Sequence, residues 1–340
     1  MKVLVTGANG HLGTVLTKAL SHRGDEVTAF IMPGENINEI YPYSNHILYG
    51  NVLDLHSLII AFRGIDVVFH TAGIIDISSS RKMKRLMKSV NIGGVENVIK
   101  ACKEAKVKRL VYTSSVHAIK EEEGKSNISE TTNFNPKCIK GSYAKTKAVA
   151  TKLILDATKE GLDAVVVHPA GIIGPEDYGM SHMGNIFYKF LTGSLKAYTS
   201  GGYNFVDVRD VVKGMLLAQE KGKCGECYIL SGEYHSIKEL LHILKDVTKT
   251  TRHLVWIPHW LAYICSPLAL LYYKIRKMKP LFTPYSLTTL MSNSNYSYKK
   301  AALALGYAPT SFKVTIEDTI KWCTLHYHLP KEKKEKRKRG

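Results

Sequence analysis

The 340-residue sequence predicts an α/β fold built on a doubly wound parallel sheet, and three observations support this. Short apolar runs alternate with helical patterns through the first half of the chain, which is the signature of repeated βαβ units. A glycine-rich segment follows the first apolar run directly. After His168 the alternation stops, and the chain becomes irregular, aromatic and rich in helical patterns. We therefore expect one sheet domain with a smaller region, discontinuous in sequence, beside it.

The predicted strands are short and mainly apolar: Lys2–Thr6, Glu26–Ile31, His46–Tyr49, Val67–His70, Arg109–Thr113, Ala164–His168 and Glu226–Leu230. Helical patterns lie between them: Gly13–Ser21, Leu55–Ala61, Ser89–Glu104 and Ser142–Lys159. Several of these patterns stop shortly before a glycine, as at Gly24, Gly64 and Gly161, and glycine favours the end of a helix. The order of elements is that of a parallel sheet with crossover helices.

The break after His168 defines the predicted domains. Residues 1–170 and 205–235 form the sheet domain, residues 171–204 and 236–325 form the smaller region, and residues 326–340 form a basic tail. Folds with an open parallel sheet bind ligands at the carboxyl ends of the strands. We expect the smaller region to cover this edge as a lid and to form the substrate-binding part of the molecule.

The composition is that of a globular protein with excess positive charge. Apolar residues make up 45% and charged residues 22% of the chain, and the formal net charge is +18. The tail from Lys331 to Arg339 holds seven basic and two acidic residues, which leaves +13 on the rest of the chain. This excess suits anionic small molecules. Because no nucleic-acid recognition motif accompanies it, we predict no nucleic-acid partner.

Cysteine usage and the N-terminal residues predict a reducing, cytoplasmic compartment. The six cysteines are scattered, and the first residues enter a strand without the charged and apolar regions of a secretion signal. Cys224 and Cys227 form the one close pair. No second pair follows at zinc spacing, so we predict no metal site.

The glycine-rich segment lies between the first strand and the first helix. Its three glycines allow a tight turn, close approach of the backbone to a pyrophosphate, and close packing of helix on strand. The helix N-terminus then faces the phosphates. This placement favours a Rossmann-type dinucleotide loop over a plain helix-capping turn. The residues expected to contact the cofactor here are Gly7, Asn9, Gly10, His11, Leu12 and Gly13.

The end of the second strand discriminates between NAD and NADP in this fold. An acidic residue there binds the ribose 2′-hydroxyl of NAD, whereas an Arg accommodates the 2′-phosphate of NADP. Ile31 and Met32 offer neither, and Glu35 is expected to lie a turn too far along. The net positive charge then favours NADP(H), and NAD(H) stays open. Further cofactor contacts are expected at Asn51, Val52, Thr71, Ala72, Gly73 and Thr113.

Tyr143 and Lys147 lie four residues apart at the start of a predicted helix, which places them on one face. A free tyrosine hydroxyl has a pKa of about 10. A nearby ammonium lowers that pKa toward the range of a useful base. Tyr143 is therefore expected to exchange a proton with a substrate oxygen while hydride moves to or from the nicotinamide, and Lys147 also to bind the nicotinamide ribose.

Two further polar residues complete the predicted catalytic set. Ser115 follows the fifth strand and is expected to hold the substrate oxygen near Tyr143. Asn91 is expected to anchor a proton-relay water or the helix backbone. Each residue alone has a plain structural interpretation, as a surface tyrosine, a strand-end serine or a backbone-binding asparagine. Their order behind a dinucleotide loop favours the catalytic interpretation.

The loop, Ser115, Tyr143 and Lys147 resemble those of the extended short-chain dehydrogenase/reductase superfamily. Three further segments, 168–175, 204–211 and 304–309, resemble its dihydroflavonol reductase-like branch, which includes 3-beta-hydroxysteroid dehydrogenases and proteins labelled hopanoid-associated sugar epimerases. The resemblance implies a Ser–Tyr–Lys triad, and a homodimer formed through the helix that carries Tyr143. It also implies nicotinamide contacts at Pro169, Gly171 and Ile172. The chain departs from the family at Met32 and Asn51, where an Arg and an Asp are usual.

The substrate side is expected to be apolar. The twenty residues from Leu254 to Tyr273 contain no Asp, Glu, Lys or Arg, and Lys274, Arg276, Lys277 and Lys279 follow. Pro258 and Pro267 disfavour a spanning helix. Two cap helices over an apolar pocket are the favoured interpretation, and peripheral membrane contact through 254–279 and the tail is the alternative. The residues expected to contact substrate are Val116, His117, Tyr178, Phe187 and Phe205.

Three functions fit these patterns. The first is an NAD(P)-dependent reductase or dehydrogenase acting on a hydrophobic ketone, aldehyde or alcohol of steroid, terpenoid or flavonoid type. The second is a sugar-nucleotide epimerase or dehydratase that retains its cofactor, with Lys189, Lys196 and Arg209 available for a diphosphate. The third is a non-catalytic NAD(P)-binding sensor. The complete Ser115, Tyr143 and Lys147 set favours an enzyme.

Overall fold

A computed structural model describes residues 1–75, 80–121, 127–276, 283–292 and 294–329. The strands in chain order are β1 Lys2–Thr6, β2 Glu26–Ile31, β3 His46–Tyr49, β4 Val67–His70, β5 Arg109–Thr113, β6 Ala164–Pro169, β7 Gly171–Ile173, β8 Ala197–Thr199, β9 Gly202–Asp207, β10 Cys227–Leu230, β11 Glu233–Ser236 and β12 Val255–Ile257. Seven of these strands form the main sheet.

The α-helices are α1 His11–His22, α2 Leu55–Phe62, α3 Arg81–Lys88, α4 Gly94–Glu104, α5 Ser142–Lys159, α6 His182–Leu191, α7 Val208–Lys221, α8 Ile237–Thr248, α9 His259–Ile275, α10 Pro284–Leu290, α11 Lys299–Leu305 and α12 Phe312–His326. A π-helical turn, Ser89–Gly93, joins α3 to α4. Short 3-10 turns occupy Tyr41–Tyr43, Val116–Ala118 and Pro136–Cys138.

The main sheet is parallel throughout and has the order β10-β6-β5-β4-β1-β2-β3. Its central strands are buried on both faces, as the continuous apolar runs predict. The helices contact one another in two groups, α1 with α7 and α11, and α2 with α4 and α5. This pattern corresponds to two helical layers on a doubly wound sheet and confirms the predicted fold class.

The sequence locates the strands of this sheet well and the remaining elements less well. Each of the seven predicted strands is present within one residue at either end. The predicted helix over 89–104 is instead two segments, because the chain runs from α3 through the π turn into α4. The segment 171–204, expected to be irregular, contains β7, β8 and the start of β9, which belong to two small sheets.

A second hydrophobic core lies within the smaller region. It is built from side chains of α6, α8 and α12 packed against β7 and β9, with Phe187, Phe205, Leu244 and Ile316 each at most 3% exposed. Its members come from both of the segments assigned to this region by sequence, together with Phe205 of the sheet domain and Tyr327 of the predicted tail. The precise domain boundaries stay a prediction.

The apolar segment 254–273 forms a short strand and a single helix, not two cap helices. Pro267 lies inside α9 and cannot bond the carbonyl of Tyr263 four residues earlier. The neighbouring Ser266 hydroxyl donates to that carbonyl at 2.7 Å, which satisfies it and lets the helix continue. Among the helices that the structure describes, none has the length and apolar character needed to cross a membrane. Lys277, Lys279 and residues 330–340 of the tail lie outside the described residues.

Candidate active site

The parallel sheet brings distant segments to one edge. Strands β1, β4, β5 and β6 are parallel, so their last residues lie at the same edge of the sheet. These residues are Thr6, His70, Thr113 and Pro169. The loops that follow them contain most of the residues that the sequence singled out. This is the edge at which open α/β sheets bind ligands.

The first of these loops needs glycine at two positions. Gly7 has a φ of +71°, and a Cβ there would lie 2.8 Å from the Ala72 Cα. A Cβ on Gly13 would lie 2.1 Å from the Gly7 carbonyl oxygen. Helix α1 starts from Gly10, and no side chain caps its first N–H groups. The open N–H groups and the close backbone packing fit a dinucleotide pyrophosphate.

The neighbouring candidate cofactor residues lie in loops at this edge that hydrogen bonds join to one another. The Thr71 hydroxyl donates to the Thr6 carbonyl at 2.7 Å and ties two loops together. His11 Nε2 donates to the Pro175 carbonyl at 2.8 Å, linking α1 to the loop after β7. Asn51 Oδ1 accepts from the Leu53 N–H, and Val52 is buried. Asn9, Leu12 and Ile172 are half-buried beside the loops. Cofactor contacts for these residues stay a prediction.

The end of β2 differs from the expectation. Ile31 is buried, whereas Met32 is half-exposed. The Met32 N–H donates to Glu35 Oε2 at 3.2 Å, so the loop turns back and brings a carboxylate to the strand end. Sequence spacing alone placed Glu35 too far along because it does not show the turn at Gly34, whose φ is +85°.

Ser115, Tyr143 and Lys147 meet at the carboxyl end of β5. Ser115 hydrogen-bonds the Tyr143 hydroxyl, which lowers the pKa of the tyrosine, but burial outweighs this and raises the pKa to about 12. Lys147 Nζ donates to the Thr113 carbonyl at 2.8 Å. Burial lowers the pKa of Lys147 to about 8. The expected lowering of the Tyr143 pKa by Lys147 is absent, because desolvation of the phenolate dominates.

Asn91 lies in the π turn and bonds protein groups on both sides. Its Oδ1 accepts from the Ile74 N–H at 2.8 Å, and its Nδ2 donates to the Ile74 carbonyl at 3.0 Å and to Thr146 Oγ1 at 3.1 Å. Thr146 Oγ1 donates to the Tyr143 carbonyl at 2.7 Å. Of the two roles predicted for Asn91, these contacts fit the anchoring of backbone, and we treat it as a positioning residue.

Sequence reasoning missed two aromatic residues beside Tyr143. The Tyr203 hydroxyl hydrogen-bonds His117 Nε2 at 2.6 Å, and the His117 ring lies edge-on to Tyr143 with centroids 6.1 Å apart. Tyr285 lies against Gly141, where a Cβ would be 2.2 Å from its ring. Tyr203 directly precedes segment 204–211, on which the family resemblance rests, so the sequence could have identified it as a candidate site residue. Nothing in the sequence links Tyr285 to a residue more than 140 positions earlier.

The remaining candidate substrate residues lie in packed surroundings. Val116 is 1% exposed beside Ser115, and Phe187 and Phe205 are buried in the second core. Tyr178 packs edge-on against Trp322 and His326 of α12. His117 is the member of this group whose ring the structure brings to Tyr143. Substrate contact for the group stays a prediction.

Residues 3–230 match the NAD dependent epimerase/dehydratase family. The chain belongs to this family. Its members are extended short-chain dehydrogenases/reductases, so the resemblance drawn from the sequence is confirmed and the protein is an enzyme of the extended short-chain type.

Three similar proteins give a finer view of this extended short-chain dehydrogenase. "Sterol demethylase protein B" of Methylococcus capsulatus is 32% identical and covers 95% of this chain and 98% of its own length. The mouse "sterol-4-alpha-carboxylate 3-dehydrogenase, decarboxylating" is 27% identical over 98% of this chain and 92% of its own. The crystal structure of gox2253 superimposes with a TM-score of 0.84 at 27% identity, covering 97% of this chain and 99% of that one.

Two buried histidines, His168 and His70, hydrogen-bond residues at this edge of the sheet. His168 Nδ1 donates to the Ser115 carbonyl at 2.9 Å, and its ring stacks on Phe134 with centroids 5.5 Å apart. His70 Nδ1 lies 2.7 Å from Thr6 Oγ1. Burial lowers the pKa of His168 to about 4 and that of His70 to about 3. Both imidazoles are therefore neutral in the folded enzyme at neutral pH.

The protein is expected to lose stability steeply as the pH falls below about 6.5. Below that value the unfolded chain protonates both histidines, whereas folded His168 and His70 stay neutral until about pH 4 and 3. The free energy of unfolding should fall by about 1.4 kcal/mol per pH unit for each histidine. Urea unfolding from pH 7 to 4.5 measures this slope.

His168→Phe keeps an aromatic ring stacked on Phe134 and removes one titrating group. The slope of its unfolding free energy against pH should therefore be shallower than that of wild type by the contribution of one proton. Ile60→Phe, at an exposed position on α2, serves as the control and should leave the slope unchanged, because it removes no titrating group. Equal slopes for wild type and His168→Phe would contradict the assignment.

Proposed function

We propose that this enzyme transfers hydride between NAD(H) and a hydrophobic cyclic alcohol or its ketone, with Ser115, Tyr143 and Lys147 as the reacting set. One observation carries the proposal. The Ser115 and Tyr143 hydroxyls are hydrogen-bonded to each other and buried, and the buried Lys147 ammonium bonds the Thr113 carbonyl two residues before Ser115, at the sheet edge where the glycine loop opens. Such a group of donors matches the oxygen of a carbonyl undergoing reduction.

The pKa of about 12 means that the Tyr143 hydroxyl keeps its proton near neutral pH. In the direction of reduction, Tyr143 gives this proton to the substrate oxygen, and the Ser115 hydroxyl donates a hydrogen bond to the same atom. The nicotinamide supplies the hydride when it is bound. Lys147 has two ammonium protons beyond the one directed at Thr113, and we assign them to the ribose hydroxyls. In the direction of oxidation, the Tyr143 hydroxyl first gives up its own proton, and the resulting phenolate takes the proton of the substrate hydroxyl as hydride leaves the substrate carbon.

We assign NAD(H) as the cofactor. The Glu35 carboxylate lies at the end of β2, where this fold binds the ribose 2′-hydroxyl. From Met32 to Asp54 the chain has three acidic residues and no Lys or Arg to pair with a 2′-phosphate. The earlier preference for NADP(H) assumed that no carboxylate reaches this point, and the family description, NAD dependent, also favours NAD(H).

Glu35→Ala is expected to reduce the preference for NADH over NADPH by about tenfold or more, since it removes roughly 1.4 kcal/mol of discrimination. The loss combines a missing hydrogen bond to the 2′-hydroxyl with relief of repulsion toward the phosphate. The measurement is the ratio of kcat/KM for the two cofactors. Glu39→Ala, in the same loop, is the control. An unchanged ratio in Glu35→Ala would disprove the role of this carboxylate.

The surroundings of Tyr143 favour a hydrophobic substrate over a sugar nucleotide. The neighbouring rings belong to His117, Tyr203 and Tyr285, and burial lowers the pKa of His117 to about 4, which keeps it uncharged. Arg209, a candidate for binding a diphosphate, is instead held by Asp207 at 2.6 Å and Asp318 at 2.7 Å.

The names of the two curated relatives support a sterol-like substrate. Both names contain the word sterol, and one specifies dehydrogenation at position 3 of a sterol 4-alpha-carboxylate. The chain aligns with both over almost its whole length, so the smaller region is included in the similarity. We propose a 3-hydroxyl on a polycyclic terpenoid or sterol skeleton as the group oxidised.

The test is a substrate panel with the purified full-length chain. Sterol 3-alcohols, sterol 4α-carboxylates and 3-ketosteroids are incubated with NAD⁺ or NADH, and absorbance at the NADH wavelength reports net turnover. UDP- and dTDP-sugars are assayed in parallel by chromatography of the sugar product. Turnover of a sterol-class compound supports the proposal. Sugar isomerisation without net use of NADH would replace it with the epimerase function, and cofactor binding without any turnover would support a sensor.

A further inference from the structure

Helix α9 exposes a continuous apolar stripe. Five large side chains recur at spacings of four, four, three and four, which places them on one helical face. Their exposed fractions are 63% for Trp260, 64% for Ile264, 72% for Leu268, 55% for Leu271 and 71% for Ile275. Clustered exposure of this kind marks an interaction surface, whereas single exposed apolar residues are ordinary.

The opposite face of α9 is fixed to the protein. Ser266 is 1% exposed, and α9 contacts α10. In turn, Tyr285 of α10 lies against Gly141, directly before the helix that carries Tyr143. The stripe therefore belongs to an element anchored on the active-site side of the molecule.

The charged residues in the chain segment that contains the stripe are all basic. From residue 247 to residue 316 the chain contains no Asp or Glu and nine Lys or Arg. Arg276 follows the helix directly and is exposed. Such a region attracts an anionic surface and repels a second copy of a chain whose net charge is +18. An anionic lipid surface satisfies both the apolar stripe and this charge.

The length of α9 determines whether it could cross a bilayer or lie along its surface. Its 17 residues span about 25 Å, which is less than the roughly 30 Å of a bilayer's hydrocarbon core. One face is also occupied by protein. A helix of this kind lies along the membrane interface, with its apolar side chains below the headgroups and basic side chains at the headgroup level.

We propose that the outward face of α9 is a docking surface for anionic lipid bilayers. The surface consists of Trp260, Ile264, Leu268, Leu271 and Ile275, and it places the active-site side of the enzyme against the membrane. This binding does not depend on the proposed reaction, because it is defined by the outer surface and not by the cofactor cleft.

The test is flotation of the purified full-length chain with lipid vesicles. Vesicles of phosphatidylcholine alone are compared with vesicles containing about one third phosphatidylglycerol. The wild-type chain is expected to float with the anionic vesicles and to bind at least tenfold less to the neutral ones. The variant Ile264→Glu/Leu268→Glu is expected to bind anionic vesicles at least tenfold less than wild type, because it places two carboxylates in the stripe.

The control variant is Leu303→Glu/Leu325→Glu, which changes two leucines that are 80% and 73% exposed outside α9. It should bind anionic vesicles as strongly as wild type does.

Thermal unfolding and turnover of a dispersed substrate check that each variant is folded. A failure of turnover in all three proteins would count against the proposed reaction without affecting the flotation result. The docking proposal is overturned if wild type does not float or if the α9 variant floats equally well. It is also overturned if sedimentation shows that the stripe holds a dimer together.

Discussion

Tyr143→Phe is expected to lower kcat by about 10²- to 10⁴-fold while the Kd for NADH stays within about twofold of wild type. The change removes the hydroxyl assigned as proton donor to the substrate oxygen and retains the ring that packs beside His117. Because Lys147 bonds the Thr113 carbonyl and not the tyrosine, the cofactor side of the site should be undisturbed. Steady-state kinetics and fluorescence titration with NADH measure the two quantities.

Tyr41→Phe, at a position that is 67% exposed, is the control for this variant and should have wild-type kcat. Turnover by Tyr143→Phe at the wild-type rate would rule out the proposed proton donor. Equal loss of NADH binding and turnover would show that the tyrosine acts through the structure of the site.

Lys147→Met is expected to have opposite effects on activity and stability. Loss of the ammonium should reduce kcat/KM by about 10²-fold, because the ribose and the developing charge near Tyr143 lose their cation. The free energy of unfolding at pH 7 should rise by about 1–3 kcal/mol. Burial lowers the pKa of Lys147 to about 8, so holding this charge in the folded state costs stability that an apolar side chain does not cost.

The pH dependence gives the sign of this effect independently. Between pH 8 and the ordinary lysine pKa of 10.5, the unfolded chain holds a proton that folded Lys147 has lost. Wild-type stability should therefore gain a contribution from Lys147 as pH rises through this window, and the variant should lack that contribution. Urea unfolding at pH 7 and pH 10 measures both.

Lys152→Met on the same helix is the matched control. Lys152 forms an exposed ion pair with Asp156, so its replacement should change stability by less than about 0.5 kcal/mol. A Lys147→Met protein that is less stable than wild type at pH 7 would contradict the cost assigned to the buried charge.

Local sequence patterns were sufficient for the parts of the site that lie next to strands. Gly7 and Thr71 each follow a strand directly and Ser115 follows β5 after one intervening residue, so identifying the strand also identified the residue's position at the sheet edge. Tyr143 and Lys147 share one helix, and helical spacing alone puts them on one face. The strand boundaries were accurate because parallel strands buried on both faces are nearly continuous apolar runs.

Contacts between distant segments were not accessible in the same way. Glu35 reaches the end of β2 through a turn, Asn91 reaches Ile74 from a π turn, and Tyr285 reaches Gly141 from α10. The pKa of Tyr143 also had the opposite direction to the expectation, because the sequence shows the neighbouring lysine but not the depth of burial.

Periodicity and residue order were therefore enough to specify the α/β class, the glycine loop and the grouping of Ser115, Tyr143 and Lys147. The element pattern and the Tyr143–Lys147 pair depend on spacings of two to four residues, which the backbone sets, and Ser115 joins the pair because the carboxyl ends of parallel strands meet at one edge. Folding decided the protonation state of Tyr143, the position of the Glu35 carboxylate at the end of β2 and the exposed face of α9. Each of these three features depends on contacts between segments that are distant in sequence and on how far those contacts exclude water. Such contacts form only when the chain packs into its tertiary structure.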